Sequence, residues 1–188
     1  MVKAINSKKS ISTIMFKSLN TLKRSKCAIK DRRNVLWNSI KRKNKFGKLD
    51  GDILEQLSSI VLQKDGYIVS LNGANITGSN GDGGIDLKGY KDNTCFIAQC
   101  KNISKPVSIK EVRELAGTFT ILDKSKFMKH DLIFIASSKF TKPAKQFIKE
   151  YNSINKTSEI KIYDEMILQN KIEEYDLDLD KFKSLFGK

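Results

Sequence analysis

Three polar residues near the middle of the sequence have the types and the spacing of a divalent-metal site. Asp86 follows a glycine-rich stretch, and Gln99 and Lys101 close the apolar run that comes next. Side chains alternate across a strand, so a hairpin that turns at Asp92 and Asn93 would place Asp86 directly opposite Gln99. An acid, an amide and an ammonium group would then meet at one edge of one hairpin.

Mg²⁺ binds oxygen ligands, and this hairpin edge offers several of them. The Asp86 carboxylate, the Gln99 amide oxygen and the backbone carbonyl of Cys100 could hold the ion together with water molecules. Lys101 would lie beside them, where an ammonium group can orient a water molecule or stabilise the charge that develops during phosphodiester hydrolysis. Glu55, on the first predicted helix of the fold, is a further candidate ligand, directly or through water.

Each of these residues also has an ordinary structural interpretation. Asp86 could cap a turn, and Lys101 could extend from a strand end into solvent. The spacing of an acid, an amide and a lysine is a weak indication by itself. Its place on paired strands, after a glycine-rich approach that lets the backbone turn sharply, favours a metal site.

Hydrophobic periodicity predicts the elements that would position these residues. A helix begins at Gly51 and ends at Gly66, and three short strands follow it. A second helix begins at a capping box formed by Ser108 and Glu111, and a continuous apolar strand comes after it. Thr141 caps the next helix, before a last strand and a last helix. The order αβββαβαβα predicts an α/β fold with a mixed central sheet flanked by helices.

Positive charge is concentrated at the start of the chain. Of the 35 basic residues that give a formal net charge of +14, fifteen lie in residues 1–50, where only two acids occur. Such an excess suits a polyanionic partner. Residues 1–30 contain eight basic residues, no acid and one apolar helical face, which is typical of organelle transit peptides. A basic arm that holds nucleic acid and a solvated helix are the alternatives.

Composition also divides the chain and excludes some classes of site. We predict a basic linker over residues 31–48, which could be helical around Val35 to Ile40, a globular domain over residues 49–172 and an acidic tail over residues 173–188. The three cysteines have no paired spacing and His130 is the only histidine, so a tetrahedral zinc site is excluded. No apolar run approaches the length of a membrane span, so we expect no membrane partner.

With these motifs the sequence resembles the Mrr-type branch of the PD-(D/E)XK nucleases, restriction-endonuclease-like enzymes that cut DNA with Mg²⁺. The resemblance covers residues 46–170 and rests on these stretches, in order: Leu54-Glu55, GDGGID at 81–86, QCK at 99–101, VRELAG at 112–117 and Phe140-Thr141. It implies an αβββαβ core, DNA as the substrate, Mg²⁺ or Mn²⁺ as the cofactor, Asp86 and Gln99 as metal ligands, Lys101 as the catalytic lysine and Glu55 as the helix acid. Ile85 replaces the proline that names the superfamily, and an amide replaces its second acid.

The strings QCK and REL-x-GTFT, the latter over Arg113–Thr120, further resemble a fungal mitochondrial family named for its requirement in respiratory growth. This resemblance implies a mitochondrial location and a role in maintaining mitochondrial DNA. Two alternatives stay open. One is a catalytically silent nucleic-acid-binding or assembly factor on the same fold, and the other is a bacterial or viral restriction protein in the cytoplasm or nucleoid. Pairing of two chains in a homodimer is also open.

Overall fold

A computed structural model of the chain describes residues 27–28, 30–43, 49–71, 84–121 and 129–186. Most of the predicted transit segment, part of the predicted linker and the glycine-rich stretch before Gly84 lie outside these residues. The elements are, in chain order, α1 (residues 30–40), α2 (Gly51–Lys64), β1 (Ile68–Leu71), β2 (Leu87–Lys91), β3 (Thr94–Lys101), α3 (Ile109–Ile121), β4 (Lys129–Ala136), α4 (Lys142–Ile154), β5 (Ser158–Tyr163), α5 (Glu165–Glu174) and α6 (Leu179–Phe186).

Five strands form one sheet in the order β1-β2-β3-β4-β5. β1, β2 and β3 pair antiparallel, whereas β3, β4 and β5 pair parallel. The β2–β3 hairpin turns at Asp92, which has a left-handed φ of 51°, and it pairs Lys91 with Thr94 and Leu87 with Ala98. The predicted turn and the predicted mixed sheet are therefore both confirmed.

Helices cover both faces of the sheet. α1, α2, α5 and α6 pack on one face, in a core cluster that includes Leu54, Leu57 and Phe96. α3 and α4 pack on the other face, in a cluster that includes Val112 and Phe134. Successive residues of β4 enter alternate clusters, which explains why its sequence is continuously apolar. None of the helices within the described ranges has both the length and the apolar composition to cross a membrane.

Local signals set the helix boundaries that hold the sheet in place. The backbone N–H of Ser108 donates to the Glu111 carboxylate at 2.6 Å, which is one half of the predicted capping box. At the start of α4, the Thr141 side chain accepts a hydrogen bond from the N–H of Ala144. α2 ends just before Gly66, whose φ of 91° favours glycine. The predicted starts of α3 and α4 and the predicted end of α2 are confirmed.

The helix α1 belongs to the folded domain, so the prediction of a linker over residues 31–48 is wrong for this part. Leu36 and Ile40 are fully buried in the core cluster on the α2 face. Apolar residues four positions apart share one face of a helix, and Asn38 remains exposed on another. The sequence indicates a helix around Val35 to Ile40, and the structure adds that this helix packs on the domain.

The described part of the predicted acidic tail also packs on the domain. Leu177 and Phe182 are buried in the same core cluster as α1. Arg33 of α1 forms ion pairs with Glu173 at 3.1 Å and with Asp176 at 3.2 Å. Acidic residues in this segment therefore face a basic partner, and the segment is a helical edge of the domain rather than a solvated tail.

Candidate active site

Asp86 lies just before β2, where two consecutive residues face the same residue of β3. Leu87 pairs with Ala98 in the ladder, and the backbone N–H of Asp86 donates to the Ala98 carbonyl at 2.9 Å. This arrangement resembles a β-bulge, which re-aims a side chain and is frequent beside active sites. The Asp86 carboxylate accepts a hydrogen bond of 2.5 Å from the backbone N–H of Cys100.

The prediction that Asp86 lies directly opposite Gln99 needs a correction of one residue. Regular pairing ends at Leu87, because the N–H of Asp86 is bonded to Ala98 instead of continuing the register. The carboxylate nevertheless binds the peptide group that joins Gln99 to Cys100. The hairpin thus brings the acid to the backbone between Gln99 and Cys100, rather than into a cross-strand pair with the Gln99 side chain.

The side-chain oxygen of Gln99 is buried and accepts no hydrogen bond from the part of the chain that the structure describes. An unpaired buried acceptor costs about 1 to 3 kcal/mol. Gly84 lies against the same amide: it has a φ of 78°, and a Cβ at this position would be 2.5 Å from Nε2 of Gln99. Glycine is therefore needed beside the amide, whose Oε1 is placed to bind a cation or a hydrogen-bond donor.

Lys101 ends β3 beside the first turn of α3. Its Nζ is 3.9 Å from Oε1 of Glu111, and about a quarter of each side chain is exposed, 27% and 24% respectively. The other carboxylate oxygen of Glu111 accepts the hydrogen bond from the Ser108 N–H. Glu111 is thus fixed at a helix start and holds the Lys101 ammonium. The sequence pattern predicts only the capping role of Glu111. Its position in the first turn of the helix that follows β3 could have indicated the contact with Lys101.

Glu55 approaches the site from the opposite face of the sheet. Residue alternation in β3 puts Gln99 and Lys101 on the α3 face, and Cys100 packs on the α2 face. Burial raises the pKa of the Cys100 thiol, and the negative charges of Asp86 and Glu55 raise it further. Both carboxylates are therefore close enough to act electrostatically on the Cys100 thiol.

The predicted ligands carry only two negative charges among them, those of Asp86 and Glu55. Across the described residues, no three or more His, Cys, Asp or Glu side chains form a group that could hold a metal ion. A metal site here therefore depends on the Gln99 amide and the Cys100 carbonyl as well as on Asp86 and Glu55. Because the N–H and C=O of a strand residue point the same way, the Cys100 carbonyl faces the side of Asp86.

A polar network that the sequence does not predict fixes the chain directly after Lys101. The side-chain amide of Asn102 donates to the Ile40 carbonyl at 2.9 Å, and the Ser137 hydroxyl donates to Asn102 Oδ1 at 2.6 Å. Lys41 Nζ donates to the Ser137 carbonyl at 2.8 Å. The end of α1 is thus bonded to the strand ends that carry the candidate catalytic lysine.

Two comparisons with known proteins leave the function of the chain open. No curated protein matches it. Among solved structures, the crystal structure of a protein of unknown function, AF1548, is similar, with a TM-score of 0.43 and 17% sequence identity. The similarity covers 71% of this chain and 65% of that protein, so the chain spans less than two thirds of its length.

A third comparison, with models of protein families, finds a match. The sequence profile of the Mrr catalytic domain, described as a restriction endonuclease, matches residues 46–168. The match runs from α2 through β5 and includes Glu55, Asp86, Gln99 and Lys101. The mixed five-stranded sheet with helices on both faces is a restriction-endonuclease-like fold. Because the match covers more than half of its length, the chain belongs to the Mrr-type restriction endonuclease family.

Proposed function

We propose that the chain is a divalent-metal-dependent endodeoxyribonuclease, which hydrolyses phosphodiester bonds in DNA. Its family membership supports a nuclease activity. The observation that carries the metal requirement is the buried Oε1 of Gln99, which accepts no hydrogen bond within the described residues. This oxygen belongs to the same short stretch as the peptide group bound by Asp86 and the strand end at Lys101.

The residues at this end of the sheet fit a hard divalent cation. Every candidate ligand is an oxygen: the Asp86 and Glu55 carboxylates, the Gln99 amide and the Cys100 carbonyl. Mg²⁺ prefers oxygen ligands and keeps several water molecules, so it is bound by one or two carboxylates together with substrate phosphates. Mn²⁺ suits the same ligands. A cation at Gln99 Oε1 would also remove the cost of an unpaired buried acceptor.

The residues of the site would have different roles in hydrolysis. A bound divalent cation would supply Lewis-acid stabilisation of charge on the phosphate. The N–H of Cys100 orients the Asp86 carboxylate, and Glu111 holds Lys101 at the strand end. The Lys101 ammonium would stabilise the negative charge that grows on the phosphate in the transition state.

A second function on the same fold is nucleic-acid binding or assembly without catalysis. The observation that favours it is the lack, among the described residues, of three acidic, histidine or cysteine side chains grouped for a metal ion. Fewer charged ligands give weaker binding of a divalent cation. DNA binding without cleavage in either Mg²⁺ or Mn²⁺ would select this alternative.

Plasmid cleavage is the experiment that tests the proposed activity. Supercoiled plasmid incubated with the purified full-length chain and Mg²⁺ should be converted to nicked or linear DNA. EDTA should stop the reaction, and addition of excess Mg²⁺ or Mn²⁺ should restore it. Intact plasmid after incubation with either metal would contradict the proposal, and cleavage that persists in EDTA would contradict its metal requirement.

For the location, we propose mitochondria and mitochondrial DNA. The support is the composition of residues 1–30, with eight basic residues and no acid, together with the resemblance carried by Arg113–Thr120. Deletion of residues 1–30 should abolish import of a fluorescent fusion and leave cleavage in vitro unchanged. Unchanged import would contradict a transit peptide, and weaker DNA binding would instead indicate a DNA-binding arm.

We further propose a homodimer that cuts both strands. The mass of the DNA-bound protein checks this proposal.

A further inference from the structure

A groove of about 830 Å³ opens beside the Lys101–Glu111 pair. Its lining includes Lys43, which follows α1, and Lys105 of the loop that joins β3 to α3. The first turns of α3 also line it, with Lys110, Glu111 and Glu114. Glu111 is shared between the groove and the candidate active site, so the two are continuous.

The groove is rich in exposed positive charge. Lys43 and Lys105 are exposed, and neither has an ion-pair partner among the residues that the structure describes. Lys110 has an exposed side chain, 84%, and pairs at 3.9 Å with Glu114, which also lines the groove; this exposed pair has little energetic value. The Glu111 charge is balanced by Lys101. Three ammonium groups are therefore available to an anionic ligand.

The rest of the lining suits a sugar–phosphate backbone rather than stacked bases. Asn102, Ser104 and Ser108 supply neutral polar groups, and Leu49 and Ile103 supply aliphatic surface. The described lining contains no aromatic side chain on which a base could stack. Lysines bind phosphates as point charges, and such contacts position a strand without reading its sequence.

We propose that this groove binds the phosphodiester backbone of the DNA strand next to the phosphate that is cut, with Lys105 and Lys110 as its phosphate contacts. The inference rests on the proposed nuclease function, because that function places a phosphate at Lys101. Glu111 joins Lys101 to the groove, so a strand that leaves Lys101 on the Glu111 side would enter the groove that Lys105 and Lys110 line. Lys43 lines the same groove.

A salt titration of DNA binding tests the groove separately from catalysis. The full-length chain is titrated onto a short DNA duplex in EDTA, so that no strand is cut, at several salt concentrations. A Lys105→Gln, Lys110→Gln double variant is compared with a Lys149→Gln, Lys156→Gln control. Both control lysines are exposed and lie outside the groove lining. Lys149 is on α4, and Lys156 precedes β5, whose start is at the opposite end of the sheet from Lys101. Both variants lose two positive charges, and their melting temperatures report on folding.

The groove variant should lower the slope of log affinity against log salt by about 1.8, since each lost phosphate contact removes about 0.9. Wild type would then weaken about tenfold more than the variant between about 50 and about 200 mM salt. The control should keep the wild-type slope.

If wild type binds and cuts DNA while the groove variant has the slope of the control, the groove inference is overturned and the nuclease function stands. If wild type binds without cutting and the groove variant still lowers the slope, the groove is supported and the nuclease function is not. Wild type that neither binds nor cuts DNA overturns both.

Discussion

The Asp86 carboxylate accepts a 2.5 Å hydrogen bond from the backbone N–H of Cys100, the residue between the candidate ligand Gln99 and the candidate catalytic Lys101. A full negative charge is thereby fixed to the strand that carries the rest of the site. The contact explains how a hairpin with an irregular start can still present an acid to the strand end. It also makes Asp86 the first residue to test.

Replacing Asp86 with Asn should weaken Mg²⁺ and Mn²⁺ binding strongly and change folding little. The amide keeps an oxygen that can accept the Cys100 N–H, but it removes a charged ligand. Calorimetric titration of the metal onto the variant provides the measurement. Asp92→Asn is the matched control, because Asp92 lies at the hairpin turn with a left-handed φ that Asn also tolerates. Equal metal affinity in the Asp86 variant and wild type would remove Asp86 from the site.

Two glycines offer a matched pair of substitutions to alanine. Gly84→Ala should destabilise the fold by about 1 to 2 kcal/mol, because Gly84 has a φ of 78°. Its new Cβ would also displace the Gln99 amide, so cleavage should fall. Gly117→Ala in α3 should stabilise the fold by up to about 1 kcal/mol, since alanine favours a helix and the added Cβ would meet no atom from outside its own stretch of helix within 4 Å. Urea unfolding and plasmid nicking of both variants test this, and an active Gly84 variant would contradict the role given to the Gln99 environment.

Lys101→Ala should lower the cleavage rate about 100-fold or more, the loss measured when one charge-stabilising donor is removed from an active site. DNA affinity in EDTA should change little, because one phosphate contact is a small part of the total. Glu111→Gln should reduce the rate less, since the side chain can still accept the Ser108 N–H while its charge is lost. Lys149→Ala, an exposed lysine on α4, is the control. Wild-type rates in the Lys101 variant would exclude it from catalysis.

A separate network at the end of α2 predicts how stability depends on pH. The Asp65 carboxylate accepts hydrogen bonds from Tyr163 at 2.8 Å, from Lys171 at 2.7 Å and from Tyr175. Burial by itself raises the pKa of Asp65, but the hydrogen bonds from Lys171, Tyr175 and Tyr163 outweigh it, and the pKa lies below its ordinary value of 3.8. Because the pKa is lower in the folded state, the stabilisation is fully present above the unfolded value and is lost as the pH falls through the folded value.

Asp65→Asn should therefore lower the free energy of unfolding by about 1 to 3 kcal/mol at neutral pH, since partly buried donors lose a charged acceptor. The difference from wild type should shrink below about pH 4, where the wild-type carboxylate is protonated as well. Chemical unfolding at a series of pH values provides the measurement. A constant difference between the two proteins down to low pH would show that the charge of Asp65 does not stabilise the fold.

Local signals in the sequence predict much of this fold. The capping residues Ser108 and Thr141, the stop at Gly66 and the turn at Asp92 act through neighbours within a few positions. Because these signals depend only on residues that are close in the sequence, the order of the elements and the position of the hairpin could be predicted. The register then limits which residues of β2 and β3 can meet, which is why Asp86 and Gln99 could be paired to within one residue.

Contacts between distant segments could not be predicted in the same way. The pairing of Lys101 with Glu111 depends on where α3 packs, and the bonds of Asn102 depend on α1 returning to the sheet. The irregular pairing before β2 follows from a single backbone hydrogen bond of Asp86. In α1, the sequence indicates the helix, but its packing on the core depends on contacts with distant segments.

The central claim is that Gln99 binds a catalytic cation through its side-chain oxygen, and two substitutions separate this role from a structural one. Gln99→Glu keeps an oxygen at the site and adds a charge, whereas Gln99→Leu has a similar volume and removes the oxygen. Gln146→Leu, in which an exposed amide of α4 loses its hydrogen bond to Glu150, is the control for loss of an amide.

The most direct measurement is the shift in melting temperature caused by Mg²⁺ in each variant. A metal at 100 times its Kd stabilises the fold by about 2.7 kcal/mol, which corresponds to about 5 to 10 °C for a chain of this size. We predict this shift in wild type, in Gln99→Glu and in Gln146→Leu, and no shift in Gln99→Leu. A Mg²⁺ shift of wild-type size in Gln99→Leu would contradict the claim that Gln99 is a metal ligand.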